Sequence, residues 1–209
     1  MQLRYWLYLT LLFQYILIVF LFGCVGTRRW VRKGNDETEW EGGLISITGS
    51  NKGWKSESYK DIKDEVCDND DLNDLCSVFK RLYDAGAAYL FFELLALIFI
   101  FVWIGQIIWM LFEKPVNRWW LGLMWPGISL LCHIIAISIW AGVTKAGFEV
   151  NCLGMHSTKL CSTNGPALAI LVVFLYLGFG MIWAFVLYFR NGVVKKVKEE
   201  GEERVEDKA

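Results

Sequence analysis

Four cysteines in polar stretches are the residues whose type and spacing most directly indicate chemistry. Cys67 and Cys76 have the same separation as Cys152 and Cys161. We expect disulfide bonds, for which four cysteines allow three pairings. Two local bridges are the simplest pairing, and a bridge between the two polar loops is the alternative. A zinc site is the rival interpretation, but metal knuckles place cysteines two to four residues apart, and only His156 lies nearby.

Two ionisable side chains, Glu93 and His133, lie inside long apolar stretches. Such residues are costly in a bilayer and therefore suggest a function. Their expected depths differ by roughly two turns or less, at ~1.5 Å rise per residue, so a buried hydrogen bond is feasible. An interhelical fastener is the structural interpretation, and a proton or ion pathway is the functional one. The other apolar segments at the two ends of the chain supply no acidic residue that would support a transporter.

The acidic stretch from Asn69 to Asp74 has oxygen ligands at the spacing of a calcium loop. An EF-hand would need glycine at its sixth position and glutamate at its twelfth, where this chain has Asp74 and Lys80. The stretch therefore predicts a helix-capping turn, with Asp70 or Asp71 as the cap. We find no hydrolase, phosphate-loop or dinucleotide motif, and expect no catalytic residue, no metal and no other cofactor.

The distribution of charge indicates a membrane protein. The chain has 209 residues, 55% of them hydrophobic, and its charges crowd between four long apolar segments. Each segment has the ~20 apolar residues that span a bilayer. The first is too long for the 7–15-residue core of a signal peptide. We expect one membrane domain, 1–209, with spans at about 3–23, 85–112, 119–142 and 166–189, outer loops at about 26–84 and 143–165, and a tail at 190–209.

The stretch from Cys67 to Phe112 predicts one continuous helix that begins outside the membrane. It has no glycine or proline between its two cysteines and the apolar run that begins at Ala85. In the first outer loop, residues 44–48 alternate and are β-branched, which predicts a strand, and Trp30 and Val31 can begin another. The expected fold is all-α: a four-transmembrane-helix bundle with a small disulfide-tied extracellular sheet.

Charge and cysteine placement favour cytoplasmic termini. The link at 113–118 and the start of the tail carry basic residues on the side of Arg4, whereas the second outer loop offers only Lys145 and Lys159. Basic residues at 28–33 oppose this orientation, but long loops translocate largely regardless of charge. All four loop cysteines lie away from the termini, as an oxidising compartment requires. We expect a multi-pass protein of the plasma membrane, with an organellar membrane as the alternative.

The first outer loop and the start of the second span contain a series of residues that can be compared with known families: Trp30 or Trp40, Gly43 and Leu44 (with Gly53 and Trp54 as the alternative turn), Cys67, Cys76 and Arg81. In this series the chain resembles the four-span superfamily of claudins, peripheral myelin and epithelial membrane proteins and calcium-channel gamma-type subunits. That family's first outer loop carries a tryptophan, a Gly-Leu-Trp-like turn, two cysteines and a basic residue entering the second span. The resemblance implies a left-handed bundle capped by a small extracellular sheet, and a non-enzymatic role.

We therefore expect a protein that acts by binding, in cell adhesion, membrane organisation or modulation of a membrane partner. Its recognition surface is predicted to comprise Trp30, Trp40, Trp54 and the 44–48 strand. The expected partners are the lipid bilayer and other integral membrane proteins, including further copies of this chain. A net charge of −1 gives no reason to expect nucleic acid. The alternatives are an accessory structural subunit of a large membrane complex, including an organellar one, and a small transporter using Glu93 and His133.

Overall fold

The computed structural model describes residues 2–35, 38–49, 56–68, 73–112, 119–146 and 161–206. These residues form four long apolar helices, one short helix and a small antiparallel sheet. The long helices carry apolar runs that are long enough to cross a membrane. In chain order the elements are α1 (Gln2–Gly26), β1 (Val31–Asn35), β2 (Thr38–Gly42), β3 (Ser46–Gly49), β4 (Glu57–Ser58), α2 (Tyr59–Cys67), α3 (Asn73–Leu111), α4 (Trp119–Thr144), β5 (Cys161–Ser162) and α5 (Asn164–Glu206).

The four long helices form a closed bundle. Helix α3 packs against α4, α4 against α5, α5 against α1, and α1 against α3. Each helix buries a stripe whose members recur every three or four residues, which is the periodicity of one helix face. In α1 this stripe runs from Leu7 to Cys24 and includes the polar residues Thr10 and Gln14. Trp6 of α1 contacts Phe185 of α5, so the start of α1 and the later part of α5 lie at the same end.

The prediction of one continuous helix after the first loop is confirmed by α3, which extends from Asn73 to Leu111. The expected caps Asp70 and Asp71 lie outside the described residues. Helix α5 continues well past the expected end of the fourth span, so the charged tail is helical as far as Glu206.

The sheet joins both polar loops. Its strand order is β4-β3-β2-β1-β5, and every pairing is antiparallel. Strand β1 begins at Val31 as the sequence predicts. The predicted 44–48 strand is shifted, because the Gly43 amide donates to the Ser46 carbonyl at 2.8 Å and turns the chain there. Leu44 and Ile45 consequently form the turn, and β3 begins at Ser46.

The short helix α2 was not predicted, although the sequence carries its signal. The Ser58 side chain accepts a hydrogen bond from the Lys60 amide and caps the helix. Tyr59, Ile62 and Val66 then follow at helical spacing. Tyr59 is buried and its hydroxyl donates to the Gly43 carbonyl at 3.2 Å. Because burial raises the pKa of Tyr59, the phenol stays a neutral donor at physiological pH.

Candidate functional site

The sheet is fastened to the helices through Trp30. This side chain is fully buried, and its Nε1 donates to the Cys24 carbonyl at the end of α1, at 2.9 Å. Its ring meets Tyr89 of α3 edge-on at 4.6 Å between centroids, and Trp140 of α4 at 4.9 Å. One side chain therefore joins three helices beneath the sheet.

The backbone of the same region joins the two loops. The Trp30 amide donates to the Gly42 carbonyl of β2 at 2.7 Å, and the Trp30 carbonyl accepts from the Thr163 amide at 3.1 Å.

The Trp30 ring is enclosed on a further side by α5. A Cβ added at Gly165, near the start of α5, would lie 2.7 Å from the ring. The prediction that Trp30 forms part of an outer surface is therefore wrong. An indole with aromatic neighbours on two helices and a backbone acceptor is most stable when buried.

The turn before β3 lies directly on α3. Leu44 is only 3% exposed, and a Cβ at Gly86 would overlap the Leu44 carbonyl oxygen. Ile47 is buried as well, whereas Ile45 is 55% exposed. The prediction that residues 44–48 form an outer surface is therefore wrong for Leu44 and Ile47. These two side chains are buried instead of being available to a partner.

The other two predicted tryptophans, Trp40 and Trp54, are not tested by the described side chains. Trp40 lies in β2, opposite Lys33 of β1, and its side chain is not among those described. Trp54, and with it the alternative turn at Gly53, lies outside the described residues.

A disulfide ties α2 to α3. Cys67 is the last residue of α2, Cys76 lies in the first turn of α3, and their Cα atoms are 4.9 Å apart. Cys161 of β5 is also disulfide-bonded. Cys152 lies outside the described residues. Disulfide bonds rather than zinc ligation therefore account for Cys67, Cys76 and Cys161. In the described part of the chain, no three His, Cys, Asp or Glu side chains gather as a metal site.

Two half-buried basic residues near this disulfide make local contacts. Arg81, the basic residue of the family pattern, donates through Nε to the Ser77 carbonyl one turn back in α3, at 3.3 Å. Lys63 of α2 lies over the Tyr83 ring at 5.0 Å, a cation–π contact that adds to the packing of α2 on α3. Arg81 therefore acts locally on its own helix.

Glu93 and His133 are paired inside the bundle. Glu93 Oε1 and His133 Nδ1 form a hydrogen bond, and both side chains are buried. His133 Nε2 lies 2.9 Å from the Ala169 carbonyl oxygen. The pair therefore connects α3, α4 and α5 at one level, as the depth estimate from the sequence allows.

The acceptor at Ala169 determines the protonation of this pair. A carbonyl oxygen only accepts, so Nε2 must carry a hydrogen. One further proton then lies between Nδ1 and Glu93, giving either a neutral imidazole with a carboxylic acid or an imidazolium with a carboxylate. The pair has no net charge in either form, which makes its burial tolerable.

A second polar contact lies about one turn further along. Ser129 Oγ donates to the Ala96 carbonyl at 2.8 Å, so the Tyr176 hydroxyl, 2.7 Å away, must donate to Ser129. This network again joins α3, α4 and α5. Both networks therefore act as interhelical fasteners.

Comparison with known proteins finds no matching family model and no matching curated protein. The geometry described above is therefore the basis for any functional proposal.

The sequence indicates the Glu93–His133 pair and the cysteines, but not how the sheet (β1–β5) and α2, together called the cap, are anchored to the long helices. Gly142, Gly178 and Gly180 lie in the long helices, but a Cβ added at any of them would meet nothing within 4 Å. A Cβ would meet another atom within 3 Å at Gly42, Gly86, Gly122 and Gly165, of which Gly86 and Gly165 lie where the sheet meets the helices. Gly86 and Gly165 are visible in the sequence, but their partners, Leu44 and Trp30, are distant in it.

Proposed function

We propose that this chain is a claudin-like integral membrane protein that acts by binding through its disulfide-stabilised outer loops. The observation that carries this proposal is the fastening of a five-stranded sheet, built from both loops, onto the end of a four-helix bundle. A rigid cap loses little conformational entropy when it meets a partner, so it is suited to recognition.

The resemblance to the claudin superfamily is part of the proposal. It is supported by the joint sheet, by the Cys67–Cys76 disulfide and by the buried Gly43-Leu44 turn against the second long helix. A role without catalysis is proposed with it.

Membrane insertion is proposed from the four apolar helices, whose outward faces are large hydrophobic side chains. Extensive exposed apolar surface marks interaction sites, including sites that contact a membrane, and this supports insertion. The sheet and the disulfide then lie in an oxidising compartment, and the two termini lie together in the cytoplasm. The plasma membrane is the proposed location.

The exposed residues of the cap define the candidate contact surface. Ile45 is the one large apolar side chain of the described sheet turns that faces solvent, and its carbonyl accepts from the Tyr59 amide at the start of α2, at 2.9 Å. An exposed apolar side chain next to a charged helix is compatible with the apolar centre and polar rim of protein interfaces. The exposed charged residues of α2 are Lys60, Asp61, Asp64 and Glu65.

The test is capture between two cell populations that express differently tagged copies of the chain. Adhesion predicts cross-linking of the two tags in mixed cells, weakened by Ile45→Asp and unaffected by Ser138→Ala, which changes an exposed residue within α4. Cross-linking only within one cell, to a partner at fixed stoichiometry, would instead support the accessory-subunit alternative. A chain that is monomeric and without partners in both arrangements would contradict binding as the function.

The transport alternative rests on the Glu93–His133 pair. Glu93→Gln and His133→Asn, reconstituted in liposomes, would abolish solute or proton flux if transport were the function. The proposed function predicts no flux above that of empty liposomes for the unaltered chain.

A further inference from the structure

Five buried polar atoms in the middle of the bundle have no hydrogen-bond partner among the described residues. They are the Tyr89 hydroxyl, Glu93 Oε2, both amide atoms of Gln14, and Trp103 Nε1. All four side chains are at most 1% exposed. We refer to Tyr89, Glu93, Gln14 and Trp103 as the polar file.

The four side chains follow one another along the bundle axis. Tyr89 lies beside Cys24 of α1 and beside Glu93. At about 1.5 Å per residue, Gln14 lies about 15 Å along α1 from Cys24, and Trp103 about 21 Å along α3 from Tyr89. Along the bundle axis, Gln14 therefore lies between Glu93 and Trp103, about one helical turn from Trp103.

Gln14 also marks a boundary in the core. One apolar cluster reaches from the sheet down to Ile100 and Tyr176, and a second begins at Trp103 and Leu7. A glutamine amide that is fully buried between two apolar clusters loses its hydrogen bonds to bulk water, and these must be replaced by other hydrogen-bond partners. Such groups in protein interiors are almost always satisfied, and buried water is the usual means.

We propose that the bundle interior from Tyr89 to Trp103 binds a short file of water molecules. One water that hydrogen-bonds on two sides joins polar atoms up to about 5.5 Å apart. The axial distance between successive members of the polar file therefore corresponds to one or two bridging waters. The water satisfies the five atoms and contacts the free oxygen of Glu93. The shared proton of the Glu93–His133 pair thereby gains a hydrogen-bonded neighbour inside the bundle.

The test is X-ray hydroxyl-radical footprinting of the intact purified protein. Radicals formed from bound water oxidise the adjacent side chains, including buried ones. The chain supplies its own controls, since Tyr59 and Trp183 are equally buried but have backbone acceptors, Gly43 and Gly122. Tyr89 should be oxidised several-fold faster than Tyr59, and Trp103 several-fold faster than Trp183.

A variant makes the test specific to the file. Gln14→Leu removes two polar atoms and should slow the oxidation of Trp103, whereas Ser138→Ala should leave it unchanged. Gln14→Met, which keeps the side-chain length, replaces the leucine variant if that fails to assemble. Rates at Tyr89 and Trp103 as low as those of their controls, or a Trp103 rate that Gln14→Leu leaves unchanged, would overturn the proposal. The result does not bear on the proposed binding function, because the measurement needs no partner.

Discussion

At the scale of single residues, the structure depends on close contacts between the sheet and the helices. Gly86 of α3 contacts the backbone of Leu44, which cannot move as freely as the tip of a side chain. Gly105, on the same helix, has nothing within 4 Å of an added Cβ. Comparing alanine substitutions at these two glycines therefore distinguishes the effect of steric crowding from the effect of helix propensity.

Gly86→Ala should destabilise the protein by about 1–3 kcal/mol, the usual cost of forcing extra volume into a packed interior. Gly105→Ala should be neutral or slightly stabilising, since alanine favours a helix over glycine by up to about 1 kcal/mol. Thermal unfolding in detergent measures both. Equal effects of the two substitutions would show that the turn does not depend on Gly86.

The hydrogen bond between Glu93 and His133 predicts unequal effects of two substitutions at position 93. Glu93→Gln retains a donor toward Nδ1 and should cost less than about 1 kcal/mol, whereas Glu93→Leu leaves Nδ1 unpaired and should cost about 1–3 kcal/mol. Adding His133→Leu to Glu93→Leu should recover part of that loss, because both polar partners are then absent. The free energy of unfolding of the double-mutant cycle is the measurement. A strictly additive cycle would contradict the pairing.

At the scale of elements, helix α2 is held at both ends. Its first residue, Tyr59, is buried and bonded to Gly43, and its last, Cys67, is bridged to α3. A helix this short is marginal in water by itself, so these attachments and the packing on α3 must stabilise it.

The change Cys67→Ser with Cys76→Ser should destabilise the protein by about 2–3 kcal/mol, since a short cross-linked loop restricts the unfolded chain by about that much. Tryptic cleavage at Lys60 and Lys63 should become faster, as α2 loses its attachment to α3. Cys132→Ala is the control, because Cys132 is a free cysteine. Unchanged cleavage would show that Tyr59 alone holds the helix.

The elements were only partly predictable from the sequence. The four apolar runs and α3 are predictable because they depend on the length and composition of continuous stretches of sequence. The position of β3 depended on a turn bond between Gly43 and Ser46, and a short strand such as β5 has too little sequence to carry a pattern. Trp30 illustrates the main difficulty: a tryptophan in a polar loop looks exposed until the three helices that cover it are assembled.

At the scale of the whole molecule, the bundle and the cap form one structure. The larger apolar cluster includes residues of the helices and of the sheet, so the cap has no separate core of its own. A sheet with so few residues could not fold alone, because small units bury too little surface. The Glu93–His133 pair was predictable at this scale, since depth along two antiparallel helices follows from rise per residue.

Trp30→Ala should therefore affect the whole molecule and not only one loop. The loss of a buried tryptophan usually costs about 3–5 kcal/mol, and here it separates the sheet from α3 and α4. Trp30→Phe keeps a ring against Tyr89 and Trp140 and loses mainly the hydrogen bond to Cys24, about 1 kcal/mol. Hydrogen exchange of strands β1 to β3 should rise far more in the alanine variant. Equal exchange in both variants would contradict the role of Trp30 as the fastener.

The proposed orientation has the cap on the oxidising side of a membrane and the termini on the other side. The most direct measurement is maleimide labelling of intact cells with a membrane-impermeant reagent, read by mass spectrometry, with Ala209→Cys as the marker of the inner side. We expect Cys67 and Cys76 to react from outside only after reduction, and the cysteine introduced at position 209 to react only after permeabilisation. Labelling of Cys67 without reduction, from the same side as that introduced cysteine, would contradict the account.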